Sequence, residues 1–559
     1  MKFIRENFFL ILIITLAIIL RFVNLGSIPV GFNDDEAAFG YNAYSILKTG
    51  RDEWGRFLPF PVFESFGDWK LIGYLYLTIV SQLIFGVNEF ATRFPSTLFG
   101  VLAVFATYLL SRKLFDKKIA LTAALLLAIS PWHIVASRNA FESDILIFFI
   151  SISTYFFLEG LNNKKFLTFS FLGFVFSFYI YRSSWLFVPF FILILLYLYR
   201  KELKKIKTYL VKNLVIAIIL LLPLIPVILT FRGQSRFFQE SFITGVSKSG
   251  IIDEINARRG SCQSRLPVFT CSSIYNKYTF FLSTYLNNYF SNLSPETYYI
   301  RDNYTGYQSA PLRGFFYSFE LPLLIIGLIA LLKIKSNAIK LLLAWILIIP
   351  IGASITGVGN PGRLNILMPV PQIIAAYGIV TVFTLIRSSF LKRLLGVLIT
   401  IIILFSFSRF LADMLYHYPK ISARYQRYGY KQLFDYLESQ KHTYNQIAIS
   451  RKGDDAKQYI HYLFYEKYDP KTYLNSVVRY RDRDGWQVVE KIGKFSFYPS
   501  APGLETLSAN SLLVLEGTEA KELLFPTKPV FTVDDPKGDR LFEVYDVNEV
   551  REKLRKING

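Results

Sequence analysis

Residues 31–40 read Gly31-Phe32-Asn33-Asp34-Asp35-Glu36-Ala37-Ala38-Phe39-Gly40, a run of three carboxylates placed just after the first long apolar segment, residues 8–24. Neighbouring carboxylates resist ionising together, so such a run can hold a proton acceptor near neutral pH or a divalent cation. Acids standing where a membrane helix surfaces form either a solvated loop or a working site. The rest of the chain decides between the two.

Of the 559 residues, 52% are hydrophobic and 17% aromatic, too apolar for the surface of a soluble protein and in keeping with a multi-span membrane protein. The formal charge of +21 comes from Lys and Arg in short tracts between apolar runs, the pattern of cytoplasmic loops rather than of a nucleic-acid-binding surface. No nucleic-acid partner is expected. Lys2 and Arg5 precede an apolar stretch too long for a signal-peptide core, so the amino end reads as a retained helix.

A helix needs about 20 apolar residues to cross the hydrocarbon. Such runs fall near 8–24, 95–111, 119–136, 143–160, 166–181, 184–199, 212–231, 320–333, 338–356, 364–386 and 394–412, about eleven in all. A shorter piece, Leu71 to Phe85, is interrupted by Ser81 and Gln82. Read as an interfacial helix in the first outer loop, it leaves Arg112, Lys113, Lys117, Lys118, Lys164, Lys165, the tract 200–212, Lys333, Lys335, Arg387, Lys392 and Arg393 on one side. Read as a span, it flips them all against the positive-inside bias. The expected topology is therefore a multi-pass protein of the plasma membrane, amino end cytoplasmic and carboxyl end extracytoplasmic.

On this arrangement the acidic loop, residues 131–144, 179–184, 232–319, 357–363 and the polar tail share the outer face. Cys262 and Cys271, the two cysteines of the chain, lie in one of these loops and are expected to form a disulfide. From about Tyr416 the composition becomes mixed. Gln446–Ser450 and Ser511–Leu515 read as strands and Tyr430–Gln440 and Ala456–Tyr465 as amphipathic helices. The domains expected are 1–413 in the membrane, with outer loops 24–94 and 232–319, and a small α/β extracytoplasmic domain over 414–559.

There is no Gly-rich phosphate cradle, no Cys/His metal array and no nucleophile elbow, and the four histidines give few catalytic candidates. An outward-facing enzyme in lipid must draw its activated substrate from the membrane, and a polyprenyl phosphate carrying a sugar meets that need.

At this point the sequence resembles a family. Asp35-Glu36-Ala37 with Phe39-Gly40-Tyr41-Asn42, then Phe85-Gly86-Val87-Asn88-Glu89-Phe90-Ala91-Thr92-Arg93-Phe94-Pro95-Ser96 opening the next span, look like the GT-C glycosyltransferases of the protein O-mannosyltransferase and lipid A aminoarabinose transferase type. Ser137-Arg138-Asn139-Ala140-Phe141-Glu142 and Arg363 with Met368-Pro369 extend the match across roughly residues 5–412. The resemblance implies a mainly α, polytopic GT-C fold and an inverting transfer from a polyprenyl-phosphate sugar to a protein, lipid or cell-envelope glycan acceptor.

It also assigns roles. Asp35 is expected as the base that takes the acceptor proton, with Glu36 orienting the loop or the acceptor. Phosphate is a stable leaving anion, so cations are needed in place of a second acid. Arg138 and Arg363 are the candidates, with Arg182 serving either the phosphate or an aromatic belt. Glu142, four residues after Arg138, could pair with it on a helix and orient an acceptor. Asp34 supports the loop or shares a divalent metal with Asp35, a requirement the residues leave open. The rival reading is a transporter or flippase of lipid-linked saccharides, in which the acids bind a coupling cation. The polar groups gather on one face with no visible internal halves, which favours the enzyme.

Overall fold

A computed structural model of the chain describes residues 2–230, 248–302, 306, 308–334, 336–452, 457–483 and 485–558. All eleven expected apolar stretches fall on helices there. Four of these helices are long and apolar enough to cross a membrane: Glu89–Leu114, Glu142–Gly160, Lys207–Leu229 and Ser389–Ser422. Two bent pairs, Lys117–Ile129 with Pro131–Ser137 and Pro361–Leu367 with Val370–Leu385, bring the number to six if each is one span. The others, such as Lys165–Phe178 and Asn337–Ala353, are shorter apolar helices. The physical reason is visible in the sequence: Pro131 and Pro369 lack the N–H that would continue the ladder, and each bent pair turns there, by 60° and 45°.

The chain divides into two compact units, and the boundary is not the expected one at residue 413. Unit 1 comprises residues 1–20, 99–136 and 142–407, and unit 2 residues 21–98, 137–141 and 408–559. The first loop thus belongs with the carboxyl-terminal domain.

Unit 1 is helical. Within it, the loop expected over 232–319 is built from helices Lys248–Gln263, Val268–Ile274, Lys277–Leu293 and Pro295–Tyr299, with residues 232–247 outside the described ones. Cys262 and Cys271 are joined by a disulfide.

Unit 2 contains two sheets. A hairpin pairs β1 (Val62–Ser65) with β2 (Asp68–Leu71). The larger sheet has seven strands: β3 (Gln446–Ser450), β4 (Val478–Arg481), β5 (Gln487–Ile492), β6 (Phe495–Tyr498), β7 (Ser511–Glu516), β8 (Phe531–Asp534) and β9 (Arg540–Asp546), in the order β4-β5-β6-β3-β7-β9-β8. β3 runs parallel to both β6 and β7, and the remaining pairs are antiparallel. Period-two alternation sends Ile447, Ile449, Leu512 and Val514 to one face and Ala448, Leu513 and Leu515 to the other. The first face carries helices Tyr430–Gln440, through Leu433, Phe434 and Leu437, and Gln458–Tyr465, through Ile460 and Leu463.

The same core takes in Phe32 from the preceding turn and Ala37, Ala38 and Tyr41 from the helix Asp34–Thr49. Phe32 stacks on Phe464 at 4.7 Å. Gly31 has φ +79°, and a Cβ there would stand 2.2 Å from the Gln426 carbonyl oxygen, so only glycine admits this approach of the loop to the later chain. The helix that follows the acid run is therefore part of the sheet domain's hydrophobic core.

Candidate functional site

The acid run begins the helix Asp34–Thr49, where the residue types suit the position twice over. Asn33 is the N-cap, its side chain accepting from the Glu36 N–H at 3.1 Å while Glu36 Oε2 accepts from the Asn33 N–H at 3.1 Å. This reciprocal cap satisfies two donors, and the acids of the first turn face the positive end of the helix dipole.

The three carboxylates meet three different environments. Glu36 is fully buried. Its Oε1 accepts from Arg93 Nε and the Ala140 N–H, both at 2.8 Å, and its Oε2 from Arg93 Nη2 at 2.9 Å. Arg93, equally buried, also donates to the carbonyls of Leu25, Pro29 and Gly31. A bidentate pair satisfied at every corner is an anchor for the loop.

Asp34 is held from the sheet domain. Arg427 donates through Nε at 3.1 Å and Nη2 at 3.0 Å, and His461 Nε2 lies 3.0 Å from Oδ1. Burial works to raise its pKa, but the Arg427 charge and the His461 hydrogen bond prevail and hold the carboxyl well below the usual range. His461 is buried, and its ring stacks on Tyr430 at 4.7 Å.

Asp35 is the most open of the three, with 35% of its side chain accessible. Lys70 of β2, itself buried and 4.9 Å above the Phe39 ring, donates to Oδ1, and Oδ2 has no hydrogen bond among the described residues. An ionised carboxylate fixed through one oxygen and open at the other can accept a proton from an approaching hydroxyl.

Arg138 lies in the turn between helices Pro131–Ser137 and Glu142–Gly160, so the helical i,i+4 register expected with Glu142 is not realised. Its guanidinium donates to the carbonyls of Arg21 at 3.0 Å, Val23 at 2.8 Å and Ile28 at 2.8 Å. In this geometry Arg138 braces residues 21–28. Burial, with the neighbouring Arg93 charge, lowers its pKa to about 10.

Arg182 and Arg363 belong to unit 1. Arg182 caps helix Ser183–Leu198, and Arg363 lies in the short helix Pro361–Leu364, whose N-cap Asn360 accepts from the Arg363 N–H at 3.3 Å. Glu142 opens helix Glu142–Gly160 in the same unit. Of the loop tyrosines, Tyr285, Tyr289 and Tyr298 spend their hydroxyls on the carbonyls of Ile351, Leu347 and Asn292, while Tyr304 and Tyr307 lie outside the described residues.

No group of three or more His, Cys, Asp or Glu residues is placed to share a metal ion among the described residues. Asp34 and Asp35, the pair considered for a metal, are each engaged by basic side chains.

Lys70, Arg93, Arg427 and His461 were not identified from the sequence as partners of the acid run. The Asn-x-x-Glu spacing of a capping box, and the isolated charges of Arg93 and His461 on otherwise apolar helical faces, were the signals available.

A family model described as dolichyl-phosphate-mannose-protein mannosyltransferase matches residues 72–226. An uncharacterized Aquifex aeolicus protein is 34% identical over 165 residues, 29% of this chain and 31% of the relative. YkcB of Bacillus subtilis, provisionally named a mannosyltransferase, is 29% identical over 86 residues, 15% of this chain and 12% of the relative. The matched stretch thus spans about a third or less of these relatives' length. Among solved structures, ArnT from Cupriavidus metallidurans is similar in its apo state (TM-score 0.52, 13% identity, 97% of this chain and 98% of that one). The same protein bound to undecaprenyl phosphate matches with TM-score 0.52 at 12% identity, over 96% of this chain and 98% of that one. AglB, an oligosaccharyltransferase from Archaeoglobus fulgidus in complex with an inhibitory peptide and a dolichol-phosphate, matches with TM-score 0.51 at 12% identity, over 97% of this chain and 74% of that one. At such identities the likeness shows a shared fold.

Proposed function

We infer that this chain, a member of the GT-C superfamily of membrane glycosyltransferases by fold, transfers a sugar from a polyprenyl-phosphate donor to the hydroxyl of a protein, lipid or envelope-glycan acceptor at the outer face of the plasma membrane. The observation that carries the reading is Asp35: an open carboxylate on a helix whose other two acids are fixed by Arg93, Arg427 and His461. Preorganisation of this kind is what a proton acceptor in a transfer reaction requires.

In the reaction the acceptor oxygen attacks the anomeric carbon and its proton passes to Asp35 Oδ2. The bond from that carbon to the phosphate oxygen breaks, and the electron pair leaves with polyprenyl phosphate. The leaving group needs positive charge rather than a proton. Arg138, Arg363 and Arg182 are the candidates for that task. Glu36 positions the loop, and Asp34 couples it to the sheet domain. Outer-face action is supported by the one-sided basic connections and by the Cys262–Cys271 disulfide, a bond that persists in oxidising compartments.

The test is transfer of radiolabelled sugar from a panel of polyprenyl-phosphate sugars in membranes carrying the native chain or Asp35→Asn at matched expression. One donor should be consumed by the native chain, with the rate falling by about 10²-fold or more in the variant. Equal consumption by both would remove Asp35 from the chemistry, and consumption by neither would overturn the transferase reading.

A further inference from the structure

The hairpin of unit 2 that carries Lys70 turns on two residues, Phe66 and Gly67, between Ser65 and Asp68. Both have positive φ, +60° and +91°, the backbone of a tight two-residue turn. Glycine adopts it freely, whereas for phenylalanine it is strained and persists because the surroundings fix it. Phe66 is buried with its ring 6.1 Å from that of Tyr459, and its carbonyl accepts from the Gln487 N–H at 2.9 Å. A Cβ on Gly67 would stand 2.5 Å from the Gly485 carbonyl oxygen. The tip of the hairpin is thus seated on the turn that joins β4 to β5.

The two faces of the hairpin meet different neighbours. Phe63 and Lys70 are cross-strand partners on the face that meets Phe39 of the helix Asp34–Thr49: the Phe63 ring lies 5.5 Å from the Phe39 ring and Lys70 Nζ 4.9 Å. From there Lys70 reaches Asp35. Glu64 and Trp69, the next pair, take the opposite face. The Glu64 carboxylate is fully buried and accepts from Arg56 Nη2 at 2.6 Å and from Arg481 of β4. The Arg56 guanidinium also lies over the Trp69 ring, 4.5 Å from its centre. A buried acid between two guanidinium groups adds little stability over apolar residues of similar volume, and its best-attested use is to fix a register. Register decides the chemistry here, because a slip of one residue would exchange the faces and present Trp69 instead of Lys70 to Asp35.

We propose that Glu64 is a positioning residue of the acid run: clamped by Arg56 and Arg481, it fixes the hairpin in the register that sets Lys70 on Asp35. Resting on the transferase reading above, this role makes β4, the edge strand of the seven-stranded sheet, a part of the transfer site. Asp34 and Asp35 are then both held from the sheet domain, the first directly by Arg427 and His461, the second by way of Glu64 and Lys70.

The test uses the full chain purified in detergent, with Glu64→Leu, Arg481→Met and Arg481→Lys, each alone and combined with Lys70→Met. Arg481 has 45% of its side chain accessible, so Arg481→Met keeps the test open should Glu64→Leu fail to fold. Glu64→Leu should lower kcat about tenfold or more with KM for the polyprenyl-phosphate donor unchanged, and Arg481→Met should act in the same sense. Arg481→Lys, which keeps the charge on Glu64, should restore most of the rate. Beside Lys70→Met none of the three should lower the rate further, because a residue that acts through Lys70 then has nothing left to position. The second readout needs no activity. Lys70, with 2% of its side chain accessible, should resist an amine-acylating reagent in the native chain. Peptide mass spectrometry, on samples whose thermal unfolding matches the native chain, should show its acylation faster by about tenfold in Glu64→Leu and Arg481→Met and near native in Arg481→Lys. Losses that multiply in the double variants, or Lys70 acylated at the native rate in Glu64→Leu and Arg481→Met, overturn the role of Glu64. Should the native chain consume no donor, the transferase reading fails, and the acylation rates still decide whether Glu64 places Lys70.

Discussion

Unit 2 holds two clusters of acids solved in opposite ways. At the acid run every carboxylate has been given a cation: Lys70 for Asp35, Arg93 for Glu36, Arg427 and His461 for Asp34. Near the β1–β2 hairpin, Glu64 is likewise paired with Arg56 at 2.6 Å and with Arg481, but its neighbour in space Glu53 is not. Tyr459 reaches Glu53 Oε2 at 3.4 Å, and Oε1 is buried without a hydrogen bond among the described residues. Burial pushes the Glu53 carboxyl up to about 8, while Asp34 moves the other way. Desolvation acts on both, and the partner decides the sign.

The comparison can be broken most forcefully at Glu36. Arg93→Met removes the partner and leaves a carboxylate buried among its remaining donors, which should cost about 3–5 kcal/mol in thermal or denaturant unfolding. A loss below about 1 kcal/mol would show that the loop relaxes and lets water reach the acid.

Asp34→Asn should cost about 1–3 kcal/mol at pH 7, the range for a buried hydrogen-bonded pair stripped of its charge. Because the native pKa lies below the ordinary value of 3.8, the contribution is present above about pH 4 and is lost as the pH falls further, so native and variant stabilities should converge in acid. Because the native carboxyl titrates well below its ordinary value, much of the separation should survive at pH 3, and convergence already complete at pH 3 would contradict the Arg427 and His461 pairing.

Glu53 should respond with the opposite slope. A native pKa of about 8 against an ordinary 4.5 means that its contribution is complete below about pH 4.5 and is lost as the pH rises through about 8. Glu53→Gln should therefore be the more stable protein at pH 9, by about 1–2 kcal/mol, with the difference gone at pH 4. A variant less stable at both values would mean that Arg479 compensates the charge.

The smallest stability effect belongs to Asp35→Asn, about 1 kcal/mol or less, since the amide oxygen still accepts from Lys70 and the site is open. Stability kept while transfer is lost would separate the working acid from the two that hold it.

Much of this was legible beforehand. The acid run, the eleven apolar stretches and the disulfide are readable from composition and spacing, and each of those stretches is helical in the described residues. The number that meet the length of a membrane span fell to between four and six because prolines break some helices and others are short. The partners of Asp34 were out of reach for a different reason. Arg427 and His461 stand 393 and 427 residues away, and nothing local in either segment points at the first loop. Arg93 lay inside a motif already singled out, but its pairing with Glu36 depends on the turn at Gly31 and Ala140 closing around both. Loop closure of that kind is a tertiary fact.

The shared core of the acidic helix and the sheet has a consequence for how the protein is made. Residues 31–49 leave the ribosome early, yet Phe32, Ala38 and Tyr41 find their apolar partners only when residues 430–464 and the strands beyond have been synthesised and delivered to the same side. The first loop is thus the earliest part of the site to be made and the last to be finished, and a chain cut short after residue 413 would carry the acid run on a helix with no surface to rest on.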